Sequence, residues 1–338
     1  MADSIATARA CSNIAFIKYW GNRDDLLRLP ANGSISMNLA GVETITTVRF
    51  SDSLERDRLF LNGQARQGDP LARVSRQLDH LRQMAAKTQR AEIISQNNFP
   101  AGTGVASSAS AFAALTVAAA AALDLTLGER MLSALARLGS GSACRSVPGG
   151  FVEWYTGDQH ETSFAETIAP PGHWDLIDLI AIISHEHKAV GSTEGHALAS
   201  TSPLQVARVA DAPRRLAMCR EAIIRRDFAL LAEIVEQDAL MMHAVMMTSH
   251  PPLIYWLPPT LKVVEMVRAW RDDGIPVCFT IDAGPNVHVI STSAYADVVE
   301  SYLAQLEGVT SVLVGKPGGP AQVLPHHLTP PAALSGSG

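Results

Sequence analysis

An α+β fold in two lobes is the architecture this sequence predicts, and three observations carry the prediction. The chain has 338 residues, too many for one ordinary core and suited to two at roughly 100–200 residues per domain. Its second half alternates helical periodicity with short β-branched runs, which points to antiparallel pairing rather than a doubly wound parallel sheet. A Pro170-Pro171-Gly172 break divides the halves. The expected organisation is an N-terminal domain over 1–172, a C-terminal domain over 173–328 and a flexible tail over 329–338.

Taken in order, Asn13 to Ile17 and Thr44 to Phe50 (TITTVRF) read as strands, being apolar or β-branched in quick succession. After Asp69-Pro70 the apolar residues Leu71, Val74, Leu78 and Leu81 recur at three- and four-residue spacing, which predicts a helix. Ala91 to Ser95 reads as another strand. It leads through Asn97-Asn98-Phe99-Pro100 into a glycine-containing turn and the alanine-rich run Ala111 to Leu123, a strand-loop-helix progression that recurs in phosphate sites. Beyond the break, Leu176 to Ser184 has the β-branching of a buried strand, and Ala207 to Met247 is largely helical until Pro251-Pro252 stops it. Leu261 to Arg271 predicts a further helix. Val277 to Ile281 and Val287 to Ile290 predict two strands around the turn Asp282-Ala283-Gly284-Pro285-Asn286. From Leu324 onward proline, serine and glycine suggest fraying.

Composition narrows the function. Hydrophobic residues at 47% and charged residues at 18% describe a globular protein. A net charge of −6 speaks against nucleic acid or an anionic membrane as partner, since both call for a basic surface. Cys11, Cys144, Cys219 and Cys278 lack CxxC spacing, so neither a zinc knuckle nor a disulfide framework is indicated, and reduced thiols suit the cytoplasm. The opening MADSIATARACSN has no secretory pattern. The alanine-rich run falls short of the roughly 20 residues that span a bilayer.

Four segments can carry chemistry. In Pro100 to Ala109 (PAGTGVASSA), Gly102 and Gly104 permit tight turns, and the amides of the helix start can hold phosphate. Ala106, Ser107 and Ser108 complete that loop, and the Ser108 hydroxyl suits a Mg²⁺ shell. The loop lacks the GKS/T ending of a Walker motif, and an ordinary serine-capped turn is the plain alternative. Gly139 to Ser146 (GSGSACRS) offers Ser140 and Ser142 as compact donors and Arg145 as a planar fork for carboxylate or phosphate; its alternative is a flexible linker. Lys18, in Asn13 to Gly21 (NIAFIKYWG), must either find a partner or snorkel to solvent, because an unpaired buried ammonium is costly. Asp282 sits at a strand end before a tight turn, a place that holds catalytic groups rigidly but where aspartate commonly caps its own backbone. His185 and His187 have no third partner at metal-ligand spacing. Met241, Met242, Met246 and Met247, which flank His243, read as core filler.

Together these segments resemble the mevalonate diphosphate decarboxylase family of the GHMP small-molecule kinases. The resemblance rests on NIAFIKYWGNRD at 13–24, NFPAGTGVASSASAFAAL at 98–115, GSGSACRS with GGFVEW at 139–154, and FTIDAGPN at 279–286. GSTEGHALASTSP at 191–203 and HPPLIYW at 250–256 add to it. It implies a two-lobed GHMP kinase fold, with a ribosomal-protein-like N-terminal lobe and a ferredoxin-like C-terminal lobe, usually as a homodimer. ATP with Mg²⁺ would phosphorylate the tertiary hydroxyl of a phosphorylated mevalonate, after which phosphate and CO₂ leave to give an isopentenyl product. By resemblance, Asp282 orients or deprotonates that hydroxyl, Arg145 holds the substrate carboxylate and phosphate region, and Lys18 offsets charge at the transferring phosphate. Asn13, Tyr19, Asn22, Ser140 and Ser142 fall on substrate-binding positions, and Gly102 to Ser108 on the nucleotide phosphate loop.

One departure bears on the substrate. Where diphosphate-using members commonly read KYWGK, this chain has Asn22, and losing a cation weakens a diphosphate more than a monophosphate. The expected substrate is therefore mevalonate 5-phosphate, giving isopentenyl phosphate, unless Arg23 or another basic side chain compensates. Mevalonate 5-diphosphate, and a kinase that stops at phosphorylation of the 3-hydroxyl, remain the alternatives. The phosphate loop also differs, with AGTGVASS where TAAGLASS is common.

Overall fold

A strand longer than the sequence announces opens the chain, for the alternation before Asn13 continues the ladder back to Ser4. The computed structural model describes residues 3–99, 107–185 and 190–330. Strand β1 (Ser4–Ile17) is followed by a small hairpin, β2 (Asn22–Asp24) and β3 (Leu29–Pro30), and then by β4 (Ser34–Ser51). β4 is the spine of the fold. One of its edges pairs with β1 along most of its length. The other takes, in succession, β8 (Phe151–Trp154), β13 (Ser311–Pro317) and β7 (Arg90–Asn97). The register between β1 and β4 shifts at Cys11/Ser12, opposite Gly41. That residue has a φ of +91°, which glycine adopts without a Cβ penalty, and the bulge bends the long strand.

The first half is completed by β5 (Arg58–Leu61) and β6 (Gln64–Arg66), helices α1 (Asp69–Met84), α2 (Ser107–Ala122) and α3 (Glu129–Gly139), and β9 (Ala165–Ala169). α2 is buried on nearly every face, as expected of a helix apolar all round. Its alanines let it lie close on β1 and β4, with α1 and α3 packed against it. In the segment proposed as an anion site, Gly141–Ser146 forms a short, mostly buried 3₁₀ turn rather than the alternative flexible linker.

The second half contains β10 (Leu176–Ile182), α4 (Ser192–Leu198), α5 (Gln205–Arg225), α6 (Phe228–Met247), α7 (Pro258–Asp272), β11 (Val277–Thr280), β12 (Val287–Thr292) and α8 (Ala296–Ala304). The helical run over 207–247 is two helices. The turn between them uses Arg226 in a left-handed conformation, and the Asp227 carboxylate accepts the Leu230 N–H at 3.1 Å as the cap of α6. Strands run β11-β12-β10-β13 and continue through β4, so among the described residues one sheet crosses both halves. The expected fraying from Leu324 is corrected here. β14 (Gln322–Leu324) pairs with β1, the Thr7 hydroxyl bonds His327 Nδ1 at 2.8 Å, and the Leu328 amide donates to Thr47. Residues 322–328 thus bond to β1 and β4 of the first half. Residues 331–338 of the expected tail lie outside the described residues. No described helix is long and apolar enough to cross a membrane.

A buried polar network ties the halves together where β1 ends. Asp238 of α6 accepts the Lys18 backbone N–H at 2.6 Å with one oxygen and the Arg215 Nε–H at 2.7 Å with the other. Arg208 donates to the Lys18 carbonyl at 2.8 Å and to Asn32 at 3.1 Å, while Asn32 donates to the same carbonyl at 3.0 Å. Arg208, Arg215 and Asp238 are all buried. Burial pushes the Arg208 guanidinium down to about 10, with the Asp238 charge opposing. Such a cluster is tolerated only because each charge has partners. Asp238→Ala would leave the buried Arg215 Nε–H and the Lys18 amide without an acceptor, and would leave Asp211 as the one carboxylate among the described residues still paired with Arg215. The expected loss is ~3–5 kcal/mol of unfolding free energy, measured as a lower urea midpoint; an unchanged midpoint would contradict this account of the junction.

Candidate active site

Beyond that network the Lys18 side chain turns inward rather than to solvent. It is 1% exposed, and its ammonium lies 2.6 Å from Asp282 Oδ1. The snorkelling alternative is therefore excluded. Asp282 does not spend its carboxylate on capping its own turn; it pairs with Lys18, and its side chain remains 27% exposed. The turn itself is held from outside. Asn286 accepts the amides of Ile183 at 2.7 Å and Ser184 at 3.0 Å, and the Thr260 hydroxyl donates to the Pro285 carbonyl at 2.7 Å. Burial alone would raise the Asp282 carboxyl, but the Lys18 ammonium above all, with Arg145 also contributing, holds it below the ordinary carboxylate value. The group is thus an ionised acceptor at neutral pH.

Arg145, in the 3₁₀ turn, is 3% exposed and is oriented by two neutral partners. It donates to the Ser34 hydroxyl at 2.6 Å and to Asn13 Oδ1 at 3.2 Å. Asn13 is itself fixed, its amide donating to the Ser146 hydroxyl at 2.7 Å and the Ser142 carbonyl at 3.2 Å. Among the described residues no carboxylate forms an ion pair with Arg145, and its Nε has no partner. A buried cation left in that condition is suited to an anionic ligand.

The remaining expected residues fall around this centre. The Tyr19 hydroxyl donates to Asn22 Oδ1 at 2.5 Å, while the Asn22 amide donates to Asp25 at 2.8 Å. The Tyr19 ring lies against Gly141, where an added Cβ would meet it at 2.5 Å. Ser140 and Ser108 share a hydrogen bond of 3.1 Å between their hydroxyls, joining the start of α2 to the 139–146 segment. Ser107 opens that helix, whose first turn carries no acidic residue. Among the described residues the Ser142 side chain makes no hydrogen bond to this cluster; its carbonyl serves Asn13. Gly102, Gly104 and Ala106 lie outside the described residues, as does His187. Arg23 does not stand in for a cation at position 22, because its side chain is drawn to Asp158 at 3.3 Å and to the carbonyls of Gly157 and Pro30.

Several residues at the site were given no role by the sequence, although His196 lies within the GSTEGHALASTSP stretch at 191–203. His196 of α4 is sandwiched between Tyr19 and Trp20, with ring centroids 4.1 and 4.6 Å away, and its Nδ1 accepts the Gly21 amide at 2.9 Å. Burial pushes it down to about 3, so the ring is neutral. His243 is buried against Trp256 and is also pushed down to about 3 by burial, with the Lys18 charge adding to the effect. Met242 and Met246 beside it are core, as expected, whereas Met247 is exposed. Arg73 reaches the Gly139 carbonyl at 3.1 Å and Arg28 the Leu138 carbonyl at 3.0 Å. A further signal lies in α5, where Arg208 and Arg215 are seven residues apart on the face that also carries Ala212 and Ala222. Charge on an apolar stripe marks a buried network. Among the described residues no group of three or more histidine, cysteine or carboxylate side chains is placed to hold a metal.

The arrangement provides an ionised carboxylate against a buried ammonium, an unpaired guanidinium and a hydroxyl-lined helix start, which together suit transfer of a phosphoryl group to a small anionic alcohol. Comparison with known proteins agrees. Residues 10–165 match the diphosphomevalonate decarboxylase-like N-terminal domain, and residues 178–315 match the mevalonate 5-diphosphate decarboxylase C-terminal domain. The diphosphomevalonate decarboxylase of Candida albicans is 38% identical over 316 residues, covering 88% of this chain and 87% of that protein. The phosphomevalonate decarboxylase of Haloferax volcanii is 35% identical over 321 residues, covering 94% and 97%. A solved structure of MDDEF in complex with MVAPP, AMPPCP and magnesium superposes with a TM-score of 0.90 at 38% identity, covering 96% of this chain and 99% of that one. On the strength of both domain matches and of relatives aligned over most of its length, the chain belongs to the mevalonate 5-diphosphate decarboxylase family.

Proposed function

We propose that this protein is an ATP-dependent decarboxylase of a phosphorylated mevalonate and that mevalonate 5-phosphate is its substrate. The observation that carries the first part is the 2.6 Å contact between Lys18 and Asp282, contributed by opposite ends of the chain, with Arg145 close enough to act on the same carboxylate. Asp282 would accept the hydrogen bond of the substrate's tertiary hydroxyl and take its proton as the bond to phosphorus forms. Its lowered pKa makes it a weak base, which suits a loose phosphoryl-transfer transition state in which orientation matters more than early deprotonation. Lys18 would offset the negative charge on the transferring group. Arg145 would clamp the substrate carboxylate, so that when phosphate leaves the tertiary carbon the developing positive charge is quenched by loss of CO₂.

ATP would place its phosphates at the start of α2, where the first turn offers amides, Ser107 and Ser108 without an opposing acidic residue. Mg²⁺ bound with the nucleotide would neutralise phosphate charge. The Ser108 hydroxyl is the described side chain suited to its shell. The AMPPCP and magnesium of the solved relative support both ligands.

For the substrate's own phosphate, the support lies at Asn22. The residue beside Tyr19 is neutral, Arg23 is held away and His196 is neutral, so among the described residues Arg28 is the one cation this hairpin turns towards α3, a setting that suits fewer ligand charges than a hairpin with a second cation at position 22. Mevalonate 5-diphosphate is the second reading, favoured by the name of the Candida albicans relative. Purified protein with MgATP, offered both esters across a concentration range, should release CO₂ and ADP with the higher kcat/KM on the monophosphate. A higher value on the diphosphate would reverse the substrate assignment, and ADP without CO₂ would indicate a kinase.

Asp282→Asn should fold, bind ATP and lose at least ~10²-fold in kcat; retained turnover would remove the carboxylate from the chemistry. Lys18→Met tests the charge coupling through pH. With the ammonium present, Asp282 stays ionised below the ordinary carboxylate range. Without it burial dominates and the carboxyl pKa rises, so the acid limb of the kcat/KM profile should move to higher pH. A limb that stays in place would belong to another group.

A further inference from the structure

The hairpin that carries Asn22 also carries a cation. β2 pairs with β3 through Asn22 and Pro30 and through Asp24 and Leu29, and Arg28 stands at the turn immediately before Leu29. Its backbone φ is 49°, a left-handed conformation that a non-glycine side chain adopts at some cost. Two reciprocal bonds hold this turn on the end of α3. Arg137, fully buried, donates from Nε to the Leu27 carbonyl at 3.0 Å, and Arg28 donates from Nε to the Leu138 carbonyl at 3.0 Å. Since Arg137 already docks the turn, the cost of the Arg28 conformation is not explained by docking alone.

The Arg28 side chain is half-buried and forms no ion pair among the described residues. Among the described residues its single bond, to Leu138, uses one of five guanidinium donors, and the two terminal nitrogens are neither bonded nor enclosed there. Arg73 approaches the next carbonyl, Gly139, from α1. Two guanidinium groups therefore converge directly ahead of Ser140 and Gly141, against which the Tyr19 ring rests. Like charges gathered without a carboxylate between them await an anion.

We propose that Arg28 is the specificity-determining cation that receives the phosphate end of the substrate, in the place beside Tyr19 where Asn22 supplies no charge. The inference rests on the reading of this cleft as a phosphorylated-mevalonate site. The electrostatics agree. Burial pushes the Tyr19 hydroxyl up, and the charge of Arg28 is the largest effect opposing it. At His196, too, Arg28 is the strongest charge after burial itself. The guanidinium thus acts on both rings that wall this end of the cleft.

The test uses the full-length enzyme with MgATP and whichever ester it turns over. Arg28→Gln should raise KM for that ester by ~10- to 100-fold, the range for a charge-assisted bond to phosphate, with kcat little changed and KM for ATP unaltered. Arg28→Lys should recover part of the loss. So should Asn22→Lys added to Arg28→Gln, because it restores a cation from the other strand of the hairpin, which a merely structural role for Arg28 would not permit. An unaltered ester KM would overturn the proposal. So would equal increases in both KM values with a lowered Tm, since Arg28 would then only brace α3. Calorimetric titration with inorganic pyrophosphate, with ADP present to fill the nucleotide loop, separates this inference from the assigned reaction. Weaker binding to Arg28→Gln than to the unaltered enzyme supports the anion role even if neither ester reacts, and equal binding refutes it.

Discussion

A lysine ammonium is costly to carry into a protein interior unless a carboxylate meets it there, and in this chain the carboxylate comes from the far end of the sequence. Lys18 and Asp282, 2.6 Å apart, are held by scaffolding that differs on the two sides. Lys18 is fixed through its backbone, its N–H by Asp238 and its C=O by Arg208 and Asn32. Asp282 is fixed through its turn, which Asn286 and Thr260 clamp to neighbouring elements. The side chains themselves are left free to face one another and the cleft. Rigid backbone around side chains with unused bonding capacity is what a preorganised reaction centre requires.

The same division of labour recurs around Arg145. Neutral partners, Ser34 and Asn13, aim the guanidinium without cancelling its charge. A carboxylate in either place would satisfy the arginine and close the site to an anion. Elsewhere in the interior several arginines are paired off with carboxylates, Arg215 with Asp238, Arg82 with Asp57 and Arg271 with Glu236, whereas Arg208 and Arg137 spend their donors on backbone carbonyls and neutral side chains. What sets Arg145 and Arg28 apart is that guanidinium donors remain unused after their neutral partners are counted among the described residues.

The continuous sheet explains how such distant segments meet reproducibly. β4 receives β1 on one edge and β8, β13 and β7 on the other, so a strand from each part of the chain is registered against one spine. The bulge at Gly41 sits between the β13 and β7 pairings, and α2 lies across β1 and β4. Ser108 is thereby brought to Ser140 across 3.1 Å. Small side chains along α2 permit that approach, since larger ones would hold the helix start away from the 3₁₀ turn.

What the sequence determined by itself was local and periodic. The helix beginning at Asp69, the apolar strand after Pro170-Pro171-Gly172 and the turn Asp282 to Asn286 were legible because their signals lie within a few residues of one another. Asn13, Tyr19, Ser140, Arg145 and Asp282 were legible because their motifs resemble a known family. The sequence could not show that Lys18 is buried, that Arg23 turns away, that Leu324 pairs with β1, or that Arg28 and His196 close on Tyr19. Each of these depends on which residues lie opposite after folding, across separations of a hundred residues or more in several cases, and on whether a charge meets a partner there. Residue identity sets what a side chain can do; only the tertiary structure decides which of its bonds are already taken.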